Sequence, residues 1–190
     1  MRLFLAEGYD RVSMHDIARA AEVSLKTIYN YFPSKADLVF DEGDEIVEKL
    51  VTAIRQRPEG ESALAAVDRF LAESRRRVAG RRPPAPSAAF RRLIESSPAL
   101  RSYRREMFAR MEAALAAVLA EETTAPANAV EPFVAAAAFV AVFRARFELP
   151  TGAHQPEAVQ AEIQRRTRTA LVLLREGFGG YAVQRRTHRR

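Results

Sequence analysis

Glycine and proline fall in clusters along this chain, and the long segments between the clusters carry apolar residues at a helical period. No stretch alternates β-branched with polar residues as a half-buried strand does. The spacing therefore predicts an all-α fold. A first helix runs through Ala6 and stops at Gly8, a residue suited to a left-handed cap. Ser13 opens a second, with Asp16 at the capping-box offset and Met14, Ile17, Ala18 and Ala21 on its apolar side. Ser24 caps a third. Pro33-Ser34 ends it and starts a fourth, which again has an acid, Asp37, three residues after the serine and runs to about Gln56. Beyond the break at Pro58-Glu59-Gly60, helices are expected over 62–79, 87–96, 98–122, 128–149 and 156–178. Their separators are GRRPPAPS, Ser97-Pro98, TTAPAN and PTGAHQP. The tail 181–190 is basic and is expected to be flexible.

Composition removes several classes of function. The 190 residues contain no cysteine, which excludes disulfide frameworks, thiolate metal sites and cysteine nucleophiles. The longest apolar run, FVAAAAFVAVF, has eleven residues, against roughly 18 for a spanning helix. Only four apolar residues follow Arg2 before Glu7, too few for a signal peptide, so the expected location is cytoplasmic and no membrane partner is expected. His15, His154 and His188 match no metal-ligand spacing, and no nucleophile motif or phosphate-binding glycine loop appears. The pattern calls for no metal, no cofactor and no enzyme activity. Asp41, Glu42, Asp44, Glu45 and Glu48 point several ways on a helix and read as a solvated face.

A net charge of +6 does not by itself indicate nucleic acid. In residues 1–40 the basic groups Arg2, Arg11, Arg19, Lys26 and Lys35 are balanced by Glu7, Asp10, Asp16, Glu22 and Asp37. Any case for DNA must rest on spacing. The stretch SLKTIYNYFPSK supplies it. At 100° per residue, Leu25, Ile28 and Phe32 form one stripe, sufficient to dock a helix. Lys26, Thr27 and Asn30 then face away, flanked by Tyr29 and Tyr31. Two short helices joined by a tight turn, 14–21 and 25–32, form a helix-turn-helix, whose second helix enters the DNA major groove.

The string AEGYDRVSMHDIARAAEVSLKTIYNYFPSKADL resembles the N-terminal domain of TetR-family transcriptional regulators over about the first 40 residues. The resemblance rests on Gly8-Tyr9, Ser13, Ile17-Ala18, Ala21, Val23-Ser24, Thr27, Tyr29, Tyr31-Phe32, Ser34-Lys35 and Leu38. It implies that Thr27, Tyr29, Asn30 and Tyr31 meet bases and phosphates of a double-stranded operator, with Lys26 beside them and Lys35 on a phosphate. It also implies that Ser13 and Ser24, with the amides they cap, hold the DNA backbone. The residue chemistry agrees: tyrosine offers a ring to a thymine methyl and a hydroxyl to a phosphate, and asparagine can pair bidentately with adenine. The plainer reading makes Tyr29 and Tyr31 rim residues of a core. Two positions depart from the family pattern. Glu22 stands where the family often has glycine, and a left-handed conformation there costs about 1 kcal/mol. The family's first helix usually begins some ten residues earlier, so it is expected to be truncated here, either because its start is missing or because Met1 is assigned too far downstream.

The resemblance divides the chain into a helix-turn-helix domain, 1–40, and a helical effector-binding and dimerisation domain, 41–180. Dimers of this family use the last two long helices, here 128–149 and 156–178. The run from Phe133 to Phe143 is apolar on every face and needs cover on all sides, which a second copy completes. Residues 91–122 resemble, more loosely, a subgroup associated with acyl-coenzyme-A-like ligands. In 98–122, Leu100, Tyr103, Met107, Met111 and Leu115 form a continuous apolar stripe. With Phe90, Leu93, Phe139 and Phe143 they read most simply as core. The adaptable methionines, the tyrosine hydroxyl and nearby Arg91, Arg92, Arg101, Arg104 and Arg105 favour a slot for an amphipathic anion. The expected effector set is Phe90, Leu93, Tyr103, Arg104, Met107, Met111, Phe139 and Phe143. The effector expected is an acyl-coenzyme A or fatty-acid-like molecule, with a neutral hydrophobic metabolite or drug as the alternative. The whole then reads as a ligand-released dimeric repressor; the alternative is a helix-turn-helix protein-interaction module without specific DNA.

Overall fold

The computed structural model describes residues 1–41, 43–78, 88–126, 128–147 and 156–178. Among these residues every regular element is an α-helix: α1 Arg2–Glu7, α2 Met14–Ala20, α3 Leu25–Tyr31, α4 Gly43–Arg55, α5 Ala63–Val78, α6 Ala88–Ser96, α7 Pro98–Thr123, α8 Glu131–Phe147 and α9 Pro156–Phe178. None is long and apolar enough to cross a membrane. The separators at 80–87 and 150–155, the tail 181–190, His154 and His188 lie outside the described residues.

The later helices begin and end within a few residues of their expected bounds. Two earlier details differ. At Gly8 the backbone has φ 88° and ψ 147°. It is not the left-handed helical cap but a region open essentially to glycine alone. The second difference is the start of α4. The Ser34–Asp37 capping pair forms, with the Ser34 N–H donating to Asp37 Oδ2 at 2.6 Å and the Asp37 N–H to Ser34 Oγ at 3.4 Å. It closes an isolated turn, because the next bonds run from Phe40 N–H to Ala36 and from Gly43 N–H to Phe40, and α4 begins only at Gly43. A capping box marks where a turn starts and does not make it propagate. Here burial of Ala36, Val39 and Phe40 fixes the turn instead.

The chain divides into two compact units. The first holds the described residues of Met1–Ile46 and Pro86–Met107; the second holds those of Val47–Ala85 and Phe108–Arg190. In the first, α2 packs against α3 and α1 against α6. Phe4, Tyr9 and Val12 are buried, the Phe4 and Tyr9 rings 5.3 Å apart. Burial, then the nearby carboxylates Asp10 and Asp37, then Tyr103, push the Tyr9 phenol above its ordinary pKa, so it stays neutral.

In the second unit α9 packs on both α8 and α5. Leu50, Ile54, Leu64, Val67 and Leu71 are buried with Met111, Leu115, Leu119, Phe139 and Val140. Arg57, its side chain 2 % exposed, pins three segments: it donates to the carbonyls of Ile54 (2.5 Å) and Glu61 (3.0 Å) and pairs with Glu122 at 2.5 Å. A buried guanidinium is tolerated only with such a full set of acceptors.

Candidate nucleic-acid interface

The helix-turn-helix is built by two caps, one tight turn and one apolar cluster. At α2, the Ser13 N–H donates to Asp16 Oδ2 at 3.0 Å and the Asp16 N–H to Ser13 Oγ at 3.2 Å, a complete capping box. The Ser13 hydroxyl, then its backbone N–H, hold the Asp16 carboxyl below its ordinary range, and Arg19 adds an ion pair. At the other end of α2 the Glu22 N–H reaches the Arg19 carbonyl at 3.2 Å and the Val23 N–H the Ala18 carbonyl at 3.0 Å. These two bonds are a Schellman motif, which requires a left-handed residue at Glu22; its φ is 56°. The backbone departure expected at this position is therefore present, with glutamate in it.

Ser24 caps α3, its Oγ accepting the Thr27 N–H at 3.0 Å. The inward stripe is as the spacing requires. Ile28 is buried with Met14 and Ala18, and Ile17, Leu25, Phe32 and Leu38 pack around them. Docking thus uses up one side of α3 and leaves the other. Lys26 and Asn30 are exposed, Tyr29 is 48 % exposed and Tyr31 77 %. Thr27 is half-buried, its hydroxyl 2.7 Å from that of Ser24. Whichever of the two donates, one hydroxyl hydrogen remains to meet an outside acceptor. The outward face of α3 thus presents two phenols, an amide and an ammonium.

Lys35 differs from the other residues of the set. Its ammonium donates to the carbonyls of Tyr9 at 2.9 Å and Val12 at 3.0 Å, and lies 4.2 Å from the centroid of the Tyr9 ring. Two of its three N–H donors are spent on the fold. That long-range role was invisible in sequence, since the acceptors are main-chain atoms more than twenty positions away.

The expected effector residues fall into both units. In the first, Leu93 and Met107 are buried, and Phe90 meets the Phe40 ring edge-on at 6.2 Å. Tyr103 stacks on Phe40 at 5.3 Å and donates its hydroxyl to Asp37. Arg104 pairs with Glu95 at 2.8 Å, and Arg101 donates to the Glu95 carbonyl. In the second, Met111, Phe139 and Phe143 are buried, Phe143 beside Phe70 at 6.4 Å. Sequence reading passed over Arg144 there: it pairs with Glu112 at 2.7 Å and lies over the Phe108 ring, while its Nε is buried without a hydrogen-bond partner. Its place directly after Phe143, where the apolar run ends, was the available signal. An open cleft of about 370 Å³ lies elsewhere in the same unit, lined by Asp68, Gln164, Thr167, Arg168, Leu171, Val172 and Arg175. Among the described residues no cluster of His, Asp or Glu is arranged to hold a metal ion.

Residues 1–41 match the family of bacterial regulatory proteins named for tetR, and residues 61–179 match the MftR C-terminal domain. The chain is 32 % identical over 124 residues to the HTH-type transcriptional regulator TcmR of Streptomyces glaucescens. That alignment covers 63 % of this chain and 55 % of TcmR, so the chain spans about half the length of this curated relative. Among solved structures, Salmonella enterica GusR superposes with a TM-score of 0.51 at 20 % identity, covering 94 % of this chain and 90 % of that one, a likeness of fold.

Proposed function

Because this chain belongs to the TetR family of DNA-binding transcriptional regulators, we propose that it acts as a homodimeric repressor, released from a palindromic operator by a small effector. The observation that carries the DNA reading is the division of α3 into a complete docking stripe and an outward face of Lys26, Tyr29, Asn30 and Tyr31. Tyr29 and Asn30 read base edges, Tyr31 and the Ser24–Thr27 hydroxyl pair hold phosphates, and Ser13 and Lys35 serve chiefly to set the frame. Footprinting on the DNA upstream of its own gene tests this. A discrete protected palindrome is expected; protection without sequence preference would instead support a protein-interaction module.

The dimer reading rests on what α8 and α9 leave uncovered. Ala135, Ala136, Phe139, Val140, Val142 and Phe143 are buried, but Phe133 is 62 % and Val134 49 % exposed, with Ala137 and Ala141 on the same side of the helix. On α9, Val172 and Leu173 are exposed as well. A second copy covers this surface and holds two recognition helices one helical turn, or a multiple, apart.

For the effector, an amphipathic anion of the acyl-coenzyme A or fatty-acid type is supported by the second unit. Met111, Phe139 and Phe143 are apolar and in part adaptable, and the Arg144 guanidinium, over the Phe108 ring, has a donor without an acceptor. Long-chain acyl-coenzyme A titrated into the protein–operator complex is expected to release the DNA at micromolar concentration. Release by a neutral lipophile and not by the acyl-coenzyme A would assign the slot to the alternative class.

A further inference from the structure

Two side chains from the α6–α7 segment of the first unit reach carboxylates of the helix-turn-helix. Ser97, buried, caps α7 by accepting the Leu100 N–H at 3.4 Å and donates its own hydroxyl to Asp10 Oδ1 at 2.9 Å. Further along α7, the Tyr103 hydroxyl donates to Asp37 Oδ1. Both are charge-assisted bonds, the stronger class. Asp10 lies in the turn between α1 and α2, between the two residues whose carbonyls hold Lys35. Asp37 accepts the Ser34 N–H on its other oxygen, and so fixes the chain just after α3 ends. One hydroxyl therefore grips the entry to the helix-turn-helix and the other grips its exit. The Tyr103 ring, stacked on buried Phe40 with planes 18° apart, sets the direction of the second.

We propose that Ser97 and Tyr103 are positioning residues for DNA binding: they hold the pitch of α3, and movement of the start of α7 frees α3 by breaking these two bonds. The proposal rests on α3 as the reading helix and adds how its orientation is set. It also changes the role of Tyr103, whose hydroxyl meets Asp37 instead of an effector. α7 continues to Thr123, so the helix that Ser97 caps and that carries Tyr103 is not confined to the first unit.

The test uses the full chain and duplexes that it selects from a random library. Affinity for the selected duplex is measured by anisotropy for the wild type, Tyr103→Phe, Ser97→Ala and Tyr29→Ala, and hydrogen exchange of segment 24–32 is followed by mass spectrometry. Tyr103→Phe keeps the ring on Phe40 and removes one hydroxyl. It is expected to weaken selected-duplex binding by about 5- to 150-fold, the range of an ordinary coupling between sites, and to speed exchange in 24–32 while 131–147 exchanges as before. Ser97→Ala, a second route to the same loss, is expected to do likewise. Affinity within twofold of the wild type in both variants overturns the proposal, as does a loss of affinity with unchanged exchange in 24–32. The recognition-helix reading falls separately, if Tyr29→Ala binds the duplex as the wild type does.

Discussion

Replacing Lys35 by alanine withdraws an ammonium from two main-chain carbonyls at once, those of Tyr9 at 2.9 Å and Val12 at 3.0 Å, and from the face of the Tyr9 ring. A hydrogen bond from a charged donor contributes about 1.5–3 kcal/mol. Lys35 is half-buried, so the lower end applies to each, because water partly re-solvates the carbonyls once the side chain is gone. The cation over the neutral Tyr9 ring adds about 0.5–1 kcal/mol. The expected loss of stability is about 3.5–4 kcal/mol, a large part of the 5–15 kcal/mol that holds a typical domain together. Urea unfolding followed by far-ultraviolet circular dichroism measures it, with Lys26→Ala as the exposed control, expected to shift stability by less than about 0.5 kcal/mol. A lysine whose main task is a phosphate would behave oppositely. Its removal would leave stability intact and lower the salt slope of DNA binding by about one. That result for Lys35→Ala would refute the pinning role.

Arg57→Ala should cost about 3 kcal/mol in the same unfolding assay, since it strips a buried partner from Glu122, whose side chain is 20 % exposed, and two carbonyls of theirs; a change under 1 kcal/mol would mean that the pin is idle. Ser13→Ala should cost about 1 kcal/mol by loss of the cap, and NMR titration should find the Asp16 carboxyl back towards its ordinary range. Because that carboxyl is depressed in the folded chain, the contribution of the capping box is present at neutral pH and lost as pH falls through the carboxylate range, so Ser13→Ala should also flatten the acid limb of stability. Leu173→Glu and Phe133→Glu, both on exposed apolar positions, should give folded monomers by light scattering with much weakened operator binding. A wild-type chain that is monomeric at micromolar concentration would contradict the dimer.

Much of the fold was legible because periodicity and punctuation act locally. Ser13 with Asp16, and Ser24 before Leu25, specify where helices start, and the Leu25–Ile28–Phe32 stripe specifies which way α3 turns. Glu22 could be recognised as a left-handed position even without glycine, because the family resemblance implies a glycine there. What failed to show was tertiary. The turn after Ser34 looked like the first turn of α4 because its cap is the same, and only burial of Val39 and Phe40 separates the two. Lys35 looked outward because its partners are carbonyls, which carry no residue identity. The bond of Tyr103 could not be read because its acceptor, Asp37, lies 66 positions away. The same long reach explains why one apolar stripe on α7 serves two units: helical period marks a face but not what that face meets.

The claim at the centre of this account is that the outward face of α3 reads base sequence. Parallel selection from a random duplex library by the wild type, Tyr29→Ala and Asn30→Ala tests it most directly. The wild type should yield a palindrome, and each variant should lose preference at one defined position in both half-sites, at a cost of about 1–3 kcal/mol per site position. Identical consensus sequences and affinities from all three proteins would contradict it.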